Sequence, residues 1–328
     1  MKRVAIYGLG SIGTLIAKEV LKKGHKIVAV IDIDPSKVGK DVGVLLNLGE
    51  KLGVRVTNNP EVLKEAKPQV TLHATGSYLD RVFDQLIHVI RSGSNLISTC
   101  ETLAYPYYRY PKLARVLDEE SKKHGVVVLG SGVNPGFIFD TLIMLLTAVC
   151  LRIDKISAKR IIDVSKRRLQ FVKKVGIGLS QKEFYERLRR GQITGHVGYA
   201  ESIMLLSDSL GIKLDKIEEK QEPIISKRPV EVYGMQVREG CVIGLRGVGS
   251  GYVRNNEFIR LELIAYVGAK DHEELVIEGE PKMQWINETG VHGDKATVAM
   301  ITNLINSIDK LEPGLRTMKD LVLISYRA

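Results

Sequence analysis

Short apolar runs alternate with amphipathic stretches along the first 136 residues of the chain. Each run ends in small or polar residues, as expected for a strand that is buried on both faces and leads into a turn. Strands are predicted at 3–7, 26–33, 69–74, 94–98 and 126–130. Helices are predicted between them, at 11–23, 60–65, 78–91 and 111–124. This alternation predicts an α/β fold with a parallel, doubly wound sheet of the Rossmann type.

The pattern changes after Gly136. The apolar segment Phe137–Leu151 predicts a buried helix near 140–150, because it is short for a membrane span and contains Asp140. Helices and longer alternating strands follow and predict a second domain of the α+β class. These elements are expected near 156–165, 180–190, 199–210, 229–238, 257–267 and 273–279.

The domain boundaries follow from this change of pattern. A last amphipathic helix, from Asp294 to about Lys310, is expected to pack back on the first domain. We therefore predict a dinucleotide-binding domain of residues 1–136, on which 294–328 packs. Residues 137–293 are predicted to form a domain for substrate binding and oligomerisation.

The first predicted strand enters a glycine turn that opens a helix, and the next strand ends on an acid. In a dinucleotide-binding turn the first glycine allows the tight bend, the second lets the backbone approach a pyrophosphate, and the third allows close helix packing. The helix N-terminus offers N–H groups to the phosphates, and the acid accepts hydrogen bonds from the ribose. The residues expected to bind the adenosine half are Gly8, Gly10, Ser11, Ile12, Gly13 and Asp32.

The acid also bears on the choice of cofactor. A carboxylate at Asp32 suits the free 2′-hydroxyl of NAD and repels the 2′-phosphate of NADP. Lys37 and Lys40 follow closely and can soften that repulsion. The sequence therefore favours NAD and allows NADP.

Small and polar residues also follow the next three predicted strands. Ligands bind beyond the carboxyl ends of parallel strands, so these segments are expected to flank the nicotinamide. Glu101 is their only charged side chain and is the candidate catalytic group. The remaining residues expected to bind cofactor are Ala74, Thr75, Gly76, Ser77, Thr99, Cys100 and Asn134.

Structural interpretations compete for some of these residues. Ser77 fits a capping box with Asp80, three residues on, and Glu101 has the same spacing from Ser98. Two prolines and four tyrosines after Glu101 are expected to interrupt any helix, which favours a functional role for this acid. Asn134 lies in Asn-Pro-Gly, where an ordinary turn and a ligand contact are equally well supported.

Composition predicts a globular protein large enough for two cores, with 328 residues, 44% hydrophobic residues and 26% charged residues. The cysteines Cys100, Cys150 and Cys241 form neither a disulfide framework nor a zinc pattern, so a reducing cytoplasm is expected. The first strand begins at Arg3, which leaves no room for a signal peptide. Neither a membrane segment nor a metal site is expected.

The net charge of +10 is concentrated in one segment. Residues 152–190 contain 13 Lys and Arg residues against 4 Asp and Glu residues. Such a surface suits an anionic ligand or water, and no DNA- or RNA-reading motif accompanies it. The expected partner is a small molecule. The isolated histidines, including His73, are expected to be surface or packing residues, whereas His196 lies between glycines.

The chain resembles the 2,4-diaminopentanoate dehydrogenases and the related native amine dehydrogenases over nearly its full length. The first domain also resembles that of dihydrodipicolinate reductase. The resemblance implies an NAD(P)-dependent oxidoreductase that reversibly deaminates an amine, such as 2,4-diaminopentanoate, to a ketone and ammonia. It also implies that Glu101 is the catalytic carboxylate. The segments that carry it are Ser98–Pro106, Gly132–Phe137, Ser165–Arg168, Gly195–Gly198, Gly293–Thr297 and Pro313–Met318.

In this scheme Glu101 takes a proton from the substrate ammonium, stabilises the cationic iminium and activates the attacking water. Arg168, together with His196, is expected to bind a substrate carboxylate, because a guanidinium matches its shape. Asn134 is expected to orient the substrate or the nicotinamide. These three form the predicted substrate-binding set.

The chain departs from the family pattern at several positions. Thr102 stands where a second acid is frequent, and Gly247 stands where glutamine is common. Tyr199 and Ala200 differ from the usual sequel to Gly195–Gly198. Most departures lie in the second domain and therefore concern the substrate more than the chemistry.

Two other functions compete with this interpretation. The first is reduction of a cyclic imine, as in dihydrodipicolinate reductase, but the paired histidines and lysine-rich signature of that enzyme are not visible. The second is an NAD-responsive regulator that binds nucleic acid through 152–190. A homodimer or a larger homo-oligomer, built through the sheet of the second domain, is expected.

Overall fold

A computed structural model describes residues 1–321 of the chain. Within them the chain divides into two compact units. The first unit comprises Met1–Ile138 and the C-terminal part from Gly293, and the second comprises Phe139–His292. Of the segment 294–328 that was predicted to pack on the first domain, residues 322–328 lie outside the described part.

The first unit contains the predicted parallel sheet, which is confirmed. Its strands are β1 (Arg3–Tyr7), β2 (Lys26–Ile31), β3 (Val56–Thr57), β4 (Val70–His73), β5 (Asn95–Ser98) and β6 (Val127–Gly130). They run in the order β3-β2-β1-β4-β5-β6, and a short strand at Gly314–Arg316 pairs with β6. All neighbouring strands are parallel. The strand order reverses between β1 and β4, which is where this fold binds dinucleotides.

Helices cover both faces of this sheet. They are α1 (Ser11–Lys22), α2 (Val42–Leu45), α3 (Val62–Ala66), α4 (Leu79–Arg91), α5 (Pro106–Arg109) and α6 (Pro111–Lys123). On one face, Leu86 of α4 and Leu117 of α6 join Leu96 and Val128 of the sheet in one buried cluster. On the other face α1 packs against the C-terminal helix. That helix spans Gly293–Leu304, shorter than predicted, and a separate 3₁₀ turn follows at Ile308–Lys310.

The second unit is built on a mixed six-stranded sheet, as predicted for an α+β domain. Its strands run in the order β14-β13-β7-β12-β11-β8, and only β7 and β12 are parallel neighbours. A separate hairpin is formed by β9 and β10. The strands are β7 (Arg152–Asp163), β8 (Lys216–Ile225), β9 (Val230–Val232), β10 (Met235–Val237), β11 (Val242–Val253), β12 (Asn256–Tyr266), β13 (His272–Glu280) and β14 (Met283–Asn287). The helices are α7 (Thr141–Thr147), α8 (Leu169–Lys174), α9 (Gln181–Arg189) and α10 (Tyr199–Ser209).

Two predictions for this unit were wrong. The single strand expected at 229–238 is a hairpin, because Tyr233 and Gly234 both adopt positive φ and turn the chain. The apolar segment Phe137–Leu151 does not form one buried helix. After α7 the chain leaves its apolar side chains in water, with Val149 62% and Leu151 88% exposed. Among residues 1–321, no helix is long and apolar enough to cross a membrane.

Candidate active site

The three glycines of the turn between β1 and α1 have two different roles. Gly8 has φ of +92°, and a Cβ there would lie 2.7 Å from the Ala74 carbonyl oxygen. A Cβ on Gly13 would lie 1.8 Å from the Gly8 carbonyl oxygen. A Cβ on Gly10 would meet no atom within 4 Å. The fold therefore requires Gly8 and Gly13, whereas Gly10 leaves space on the outer side of the turn that a pyrophosphate can approach.

Ser11 and Ile12 form the first turn of α1, directly after Gly10. Gly10 is the N-cap of this helix and provides no side-chain cap. The helix therefore begins with backbone N–H groups that only the neighbouring chain or a ligand can satisfy.

Asp32 fixes the end of β2 to the glycine turn. Its Oδ2 accepts a hydrogen bond from Leu9 N at 2.6 Å, and its Oδ1 accepts one from Asp34 N at 2.8 Å. Lys37 Nζ lies 3.3 Å from Asp32 Oδ2 and 3.2 Å from Asp34 Oδ2. The acid that was predicted to face the ribose is therefore partly neutralised by Lys37, while Lys40 is exposed.

The ends of β1, β4 and β5 meet at one edge of the sheet, as the sequence predicted. Ala74 N donates to Tyr7 O at 2.8 Å, and Thr99 N donates to His73 O at 2.9 Å. Ala74, Thr75, Gly76 and Ser77 form the turn after β4, and Thr99 and Cys100 form the turn after β5. The predicted cofactor residues of these two turns are thus adjacent.

A buried polar network lies beneath this edge, and the sequence analysis missed it by treating His73 as a packing residue. His73 Nδ1 lies 2.8 Å from Ser98 Oγ, and His73 Nε2 lies 2.9 Å from Gln85 Oε1. Thr75 Oγ1 lies 2.8 Å from the same Nε2. Because Gln85 Oε1 can only accept, Nε2 carries the proton and Ser98 donates to Nδ1. Burial lowers the pKa of His73 to about 4, so the ring stays neutral.

Glu101 stands at the start of a 3₁₀ turn whose two sides are both anchored. On one side, Ser98 Oγ accepts a hydrogen bond from Cys100 N at 3.1 Å. On the other side, Thr102 N donates to Ser77 O at 3.1 Å, and Thr102 Oγ1 accepts from Leu79 N at 2.8 Å. These contacts hold Cys100 and Thr102, the residues on either side of the half-buried Glu101, and thereby fix its backbone. The geometry suits a group that must be held in place for proton transfer.

Two predictions about this region were wrong. Ser77 forms no capping box with Asp80, because α4 begins after Tyr78 and receives no cap from its own N-cap residue. Thr102 from the next strand end occupies that place, which gives the departure from a second acid a structural reason. The prolines after Glu101 do not abolish helix but begin short ones, at Pro106 and Pro111, where the missing N–H costs nothing.

Cys100 is a poor nucleophile in this setting. Its thiol is buried, and burial together with the nearby Glu101 raises its pKa to about 12. The thiol therefore stays protonated, and this residue can contribute only its backbone to a cofactor site.

The loop after β6 completes the edge. Ser131 N donates to Ser98 O at 2.9 Å, so the loop starts beside the strand that leads to Glu101. The Asn134–Pro135 peptide is cis, and Gly136 has φ of +122° with Gly132 N 2.3 Å from an added Cβ. Asn134 lies half-buried within this tight turn. Sequence analysis missed Ser131, whose buried hydroxyl makes no hydrogen bond with the residues that the structure describes.

The predicted substrate residues Arg168 and His196 lie in the second unit. Arg168 is the N-cap of α8, and His196 precedes α10. Burial, together with Lys174 and Arg160, lowers the pKa of His196 to about 3. His196 is therefore a neutral imidazole, which can donate one hydrogen bond but cannot pair with a carboxylate as a cation. Within residues 1–321, no group of three or more His, Cys, Asp or Glu residues is placed to hold a metal ion.

Comparison with known proteins shows that the chain is similar to amine dehydrogenases. The profile of the 2,4-diaminopentanoate dehydrogenase C-terminal domain matches residues 137–326. The chain is 33% identical to a 2,4-diaminopentanoate dehydrogenase of Acetoanaerobium sticklandii, over 97% of this chain and 93% of that protein. It is 25% identical to an amine dehydrogenase of Streptomyces virginiae, over 98% of this chain and 97% of that protein.

Solved structures give the same result. An amine dehydrogenase from Mycobacterium smegmatis superposes with a TM-score of 0.90 and 29% identity, over 99% of this chain and 97% of that one. Dihydrodipicolinate reductase from Paenisporosarcina sp. TG-14 superposes with a TM-score of 0.53 at 14% identity, over 98% of this chain and all of that one. The second likeness concerns the fold alone.

Proposed function

This chain belongs to the 2,4-diaminopentanoate dehydrogenase family, and we propose that its substrate is 2,4-diaminopentanoate or a similar diamino acid. It is an NAD(P)-dependent oxidoreductase that acts on amines. In the proposed reaction the substrate ammonium, water and NAD⁺ give a ketone, an ammonium ion, NADH and one proton.

The residues at the sheet edge fit a dinucleotide. Gly10 leaves open space beside the turn, and the buried Ser131 hydroxyl makes no hydrogen bond with the described residues. Gly8 to Gly13 and Asp32 would hold the adenosine half, and the turns after β4, β5 and β6 would hold the nicotinamide half. When bound, the nicotinamide supplies the acceptor for the hydride of the amine-bearing carbon.

Glu101 performs the proton chemistry in this proposal. An alkylammonium cannot release hydride until it loses a proton, and Glu101 accepts that proton. Glu101 passes this proton, the one released in the net reaction, to solvent, and the regenerated carboxylate then stabilises the positive charge of the substrate iminium and deprotonates the attacking water. The observation that carries the proposal is the anchoring of the Glu101 turn by Ser98 on one side and Thr102 on the other.

Replacement of Glu101 by glutamine tests this role. We expect kcat of Glu101→Gln to fall by about 10²- to 10⁴-fold, with the nucleotide Kd unchanged. The exposed Glu65→Gln is the matched control and should keep full activity. Turnover is followed by NADH absorbance with diamino acids, simple amines, and ketones plus ammonia. Normal turnover by Glu101→Gln would exclude Glu101 as the base.

We propose NAD as the preferred cofactor, with NADP accepted less well. Two backbone N–H groups and Lys37 already engage the Asp32 carboxylate, so the charge that would repel a 2′-phosphate is reduced. Asp32 remains the acceptor best placed for a ribose hydroxyl. Competition between the two nucleotides at equal concentration measures this preference.

We also propose that the protein is a homodimer through the second-unit sheet. Gly247, Gly249 and Gly251 of β11 face α10, so the alternate residues Arg246 and Val248 lie on the opposite face. That face mixes apolar and oppositely charged side chains, which suits pairing with a second copy. The mass in solution tests this assembly.

The three cysteines are free, which supports the proposed reducing, cytoplasmic location.

A further inference from the structure

Thr75 stands at the candidate cofactor edge with both branches of its side chain held in place. The residue is exposed and lies in the turn after β4, two residues beyond the buried His73. A Cβ on Gly8 would lie 2.8 Å from Thr75 Cγ2, so the methyl group packs against the glycine turn. Thr75 Oγ1 lies 2.8 Å from His73 Nε2 and 2.6 Å from Gln85 Oε1. These contacts fix the orientation of an exposed side chain.

The hydrogen bonds of this network run in one direction. His73 is neutral and has one N–H, at Nε2, because Ser98 Oγ donates to Nδ1 at 2.8 Å. Gln85 Oε1 carries no proton, so the Thr75 hydroxyl donates to it. The Nε2–H lies within reach of both oxygens, at 2.8 Å from Thr75 Oγ1 and 2.9 Å from Gln85 Oε1, and donates to them. The proton of the Thr75 hydroxyl is therefore already used inside the protein.

A threonine whose proton is committed in this way can meet a ligand only as an acceptor. Its oxygen has two lone pairs, and among the described residues only the His73 N–H engages one of them. Phosphate oxygens accept hydrogen bonds and do not donate them, so Thr75 is unsuited to the pyrophosphate even though it packs against Gly8. The groups that match it are hydroxyl and amide donors.

The nicotinamide half of the cofactor carries both kinds of donor, on its ribose and on its carboxamide. The ribose is bonded directly to the pyrophosphate, whereas the carboxamide lies one ring further away. Thr75 packs against the turn that is expected to hold the pyrophosphate. Its position along the cofactor therefore favours the ribose.

We propose that Thr75 Oγ1 accepts a hydrogen bond from a hydroxyl of the nicotinamide ribose, and that His73 and Gln85 are the positioning residues that make it an acceptor. The inference rests on the proposed function, which assigns the nicotinamide half to this edge. It gives the buried pair a task beyond stability, because the pair decides which group of the cofactor Thr75 can bind. All three residues belong to the first unit.

The variant Thr75→Val removes the hydroxyl and keeps the shape of the side chain. His73 Nε2–H retains Gln85 Oε1 at 2.9 Å, so the buried ring stays paired and the melting temperature should stay close to that of the parent. Thr75→Ser keeps the hydroxyl and should bind nucleotides like the parent. The matched control is Thr289→Val in the second unit, at an exposed threonine whose Oγ1 donates to an amide oxygen, Asn287 Oδ1, at 3.0 Å.

Three nucleotides locate the contact by calorimetric titration, without turnover. NAD⁺ contains both halves, ADP-ribose keeps the second ribose but lacks the nicotinamide, and ADP lacks both. Thr75→Val should bind NAD⁺ and ADP-ribose about three- to tenfold more weakly than the parent, as expected for the loss of one neutral hydrogen bond. Its affinity for ADP should be unchanged. Thr289→Val should bind all three nucleotides like the parent.

The other patterns of loss contradict the inference. A loss with NAD⁺ alone would assign the donor to the carboxamide, and a loss with all three nucleotides would assign the contact to the pyrophosphate. Either pattern, or unchanged binding of all three, would overturn the inference and leave the proposed function standing. If the parent binds neither NAD⁺ nor NADP⁺, the proposed function fails and the inference fails with it.

The variant Gln85→Met tests the direction of the network. Methionine is similar in length but is only a weak acceptor, so the proton of Thr75 is released and its hydroxyl can rotate. The acceptor then loses its fixed orientation, and NAD⁺ and ADP-ribose should bind about threefold more weakly. Tighter binding of any of the three nucleotides would show that Thr75 serves as a donor, which would overturn the role assigned to His73 and Gln85.

Discussion

Replacing Ser98 by alanine separates the positioning of Glu101 from the stability of the sheet. Ser98 is fully buried, donates to His73 Nδ1 and accepts from Cys100 N. The alanine variant leaves both partners buried and unsatisfied, at about 1–3 kcal/mol each. Because the protein can relax around the substitution and reduce both penalties, we expect the free energy of unfolding to fall by about 2–4 kcal/mol. The Cys100 backbone also loses its anchor beside Glu101, so kcat should fall by more than tenfold.

The matched control is Ser94→Ala, near the amino ends of β4 and β5, whose carboxyl ends carry His73 and Ser98. Ser94 is equally buried, and its Oγ lies 2.8 Å from Thr71 Oγ1. This variant should lose similar stability but keep its turnover, since it lies at the amino end of β5, away from Glu101. Unfolding is followed by circular dichroism, because the single tryptophan, Trp285, reports on the other unit. If Ser94→Ala slows turnover as much as Ser98→Ala does, the positioning role of Ser98 is refuted.

Two further predictions follow from the charges of the site. Lys37→Gln should lower kcat/KM for NADP about tenfold and change kcat/KM for NAD by less than about threefold. The exposed Lys40→Gln is the control. Equal losses for both nucleotides would contradict a role of Lys37 in 2′-phosphate binding. His73 has a pKa of about 4 when folded and 6.5 when unfolded, so the unfolded chain takes up the proton first and stability is lost as the pH falls from 6.5 towards 4. Between pH 7 and pH 4.5 the parent should lose about 2 kcal/mol more than His73→Gln in denaturant titrations, and parallel curves would exclude a buried neutral His73.

The sheet edge could be predicted because its signals are local. An apolar run that ends in glycine or in a small polar residue marks the carboxyl end of a strand, and parallel strands bring all such ends together. Glu101 therefore stood out as the one charged side chain at the ends of the later strands. The five predicted strands of the first unit begin and end within two residues of their predicted positions, whereas the short strands at Val56–Thr57 and Gly314–Arg316 were not predicted.

The network under that edge is non-local and was missed. His73 and Ser98 are 25 residues apart and are paired neighbours in β4 and β5. A polar residue at the last position of two adjacent, otherwise apolar strands is the signal that could have revealed them. Thr71 and Ser94 make a second buried polar contact near the start of the same strands, although the register partner of Thr71 is Leu96. Polar residues at such matched positions satisfy each other when both are buried.

The second unit was predicted in class but not in detail, because its strands lack the usual composition. β8 carries six charged or amide side chains in ten residues, and β11 contains four glycines in twelve. Glycine is unfavourable in strands when judged locally. For three of the four glycines of β11 the reason lies outside the strand, because a Cβ on Gly247, Gly249 or Gly251 would meet side chains of α10.

The contact between Tyr199 and Gly247 turns two separate departures from the family pattern into one structural feature. A Cβ at position 247 would lie 2.3 Å from Tyr199 Oη, which is too close for two atoms that are not bonded. Any residue larger than glycine at this position would therefore disrupt the packing of Tyr199. The two positions must therefore be read together. Together, Gly247 and Tyr199 place a buried hydroxyl beside the rings of Phe139 and His196.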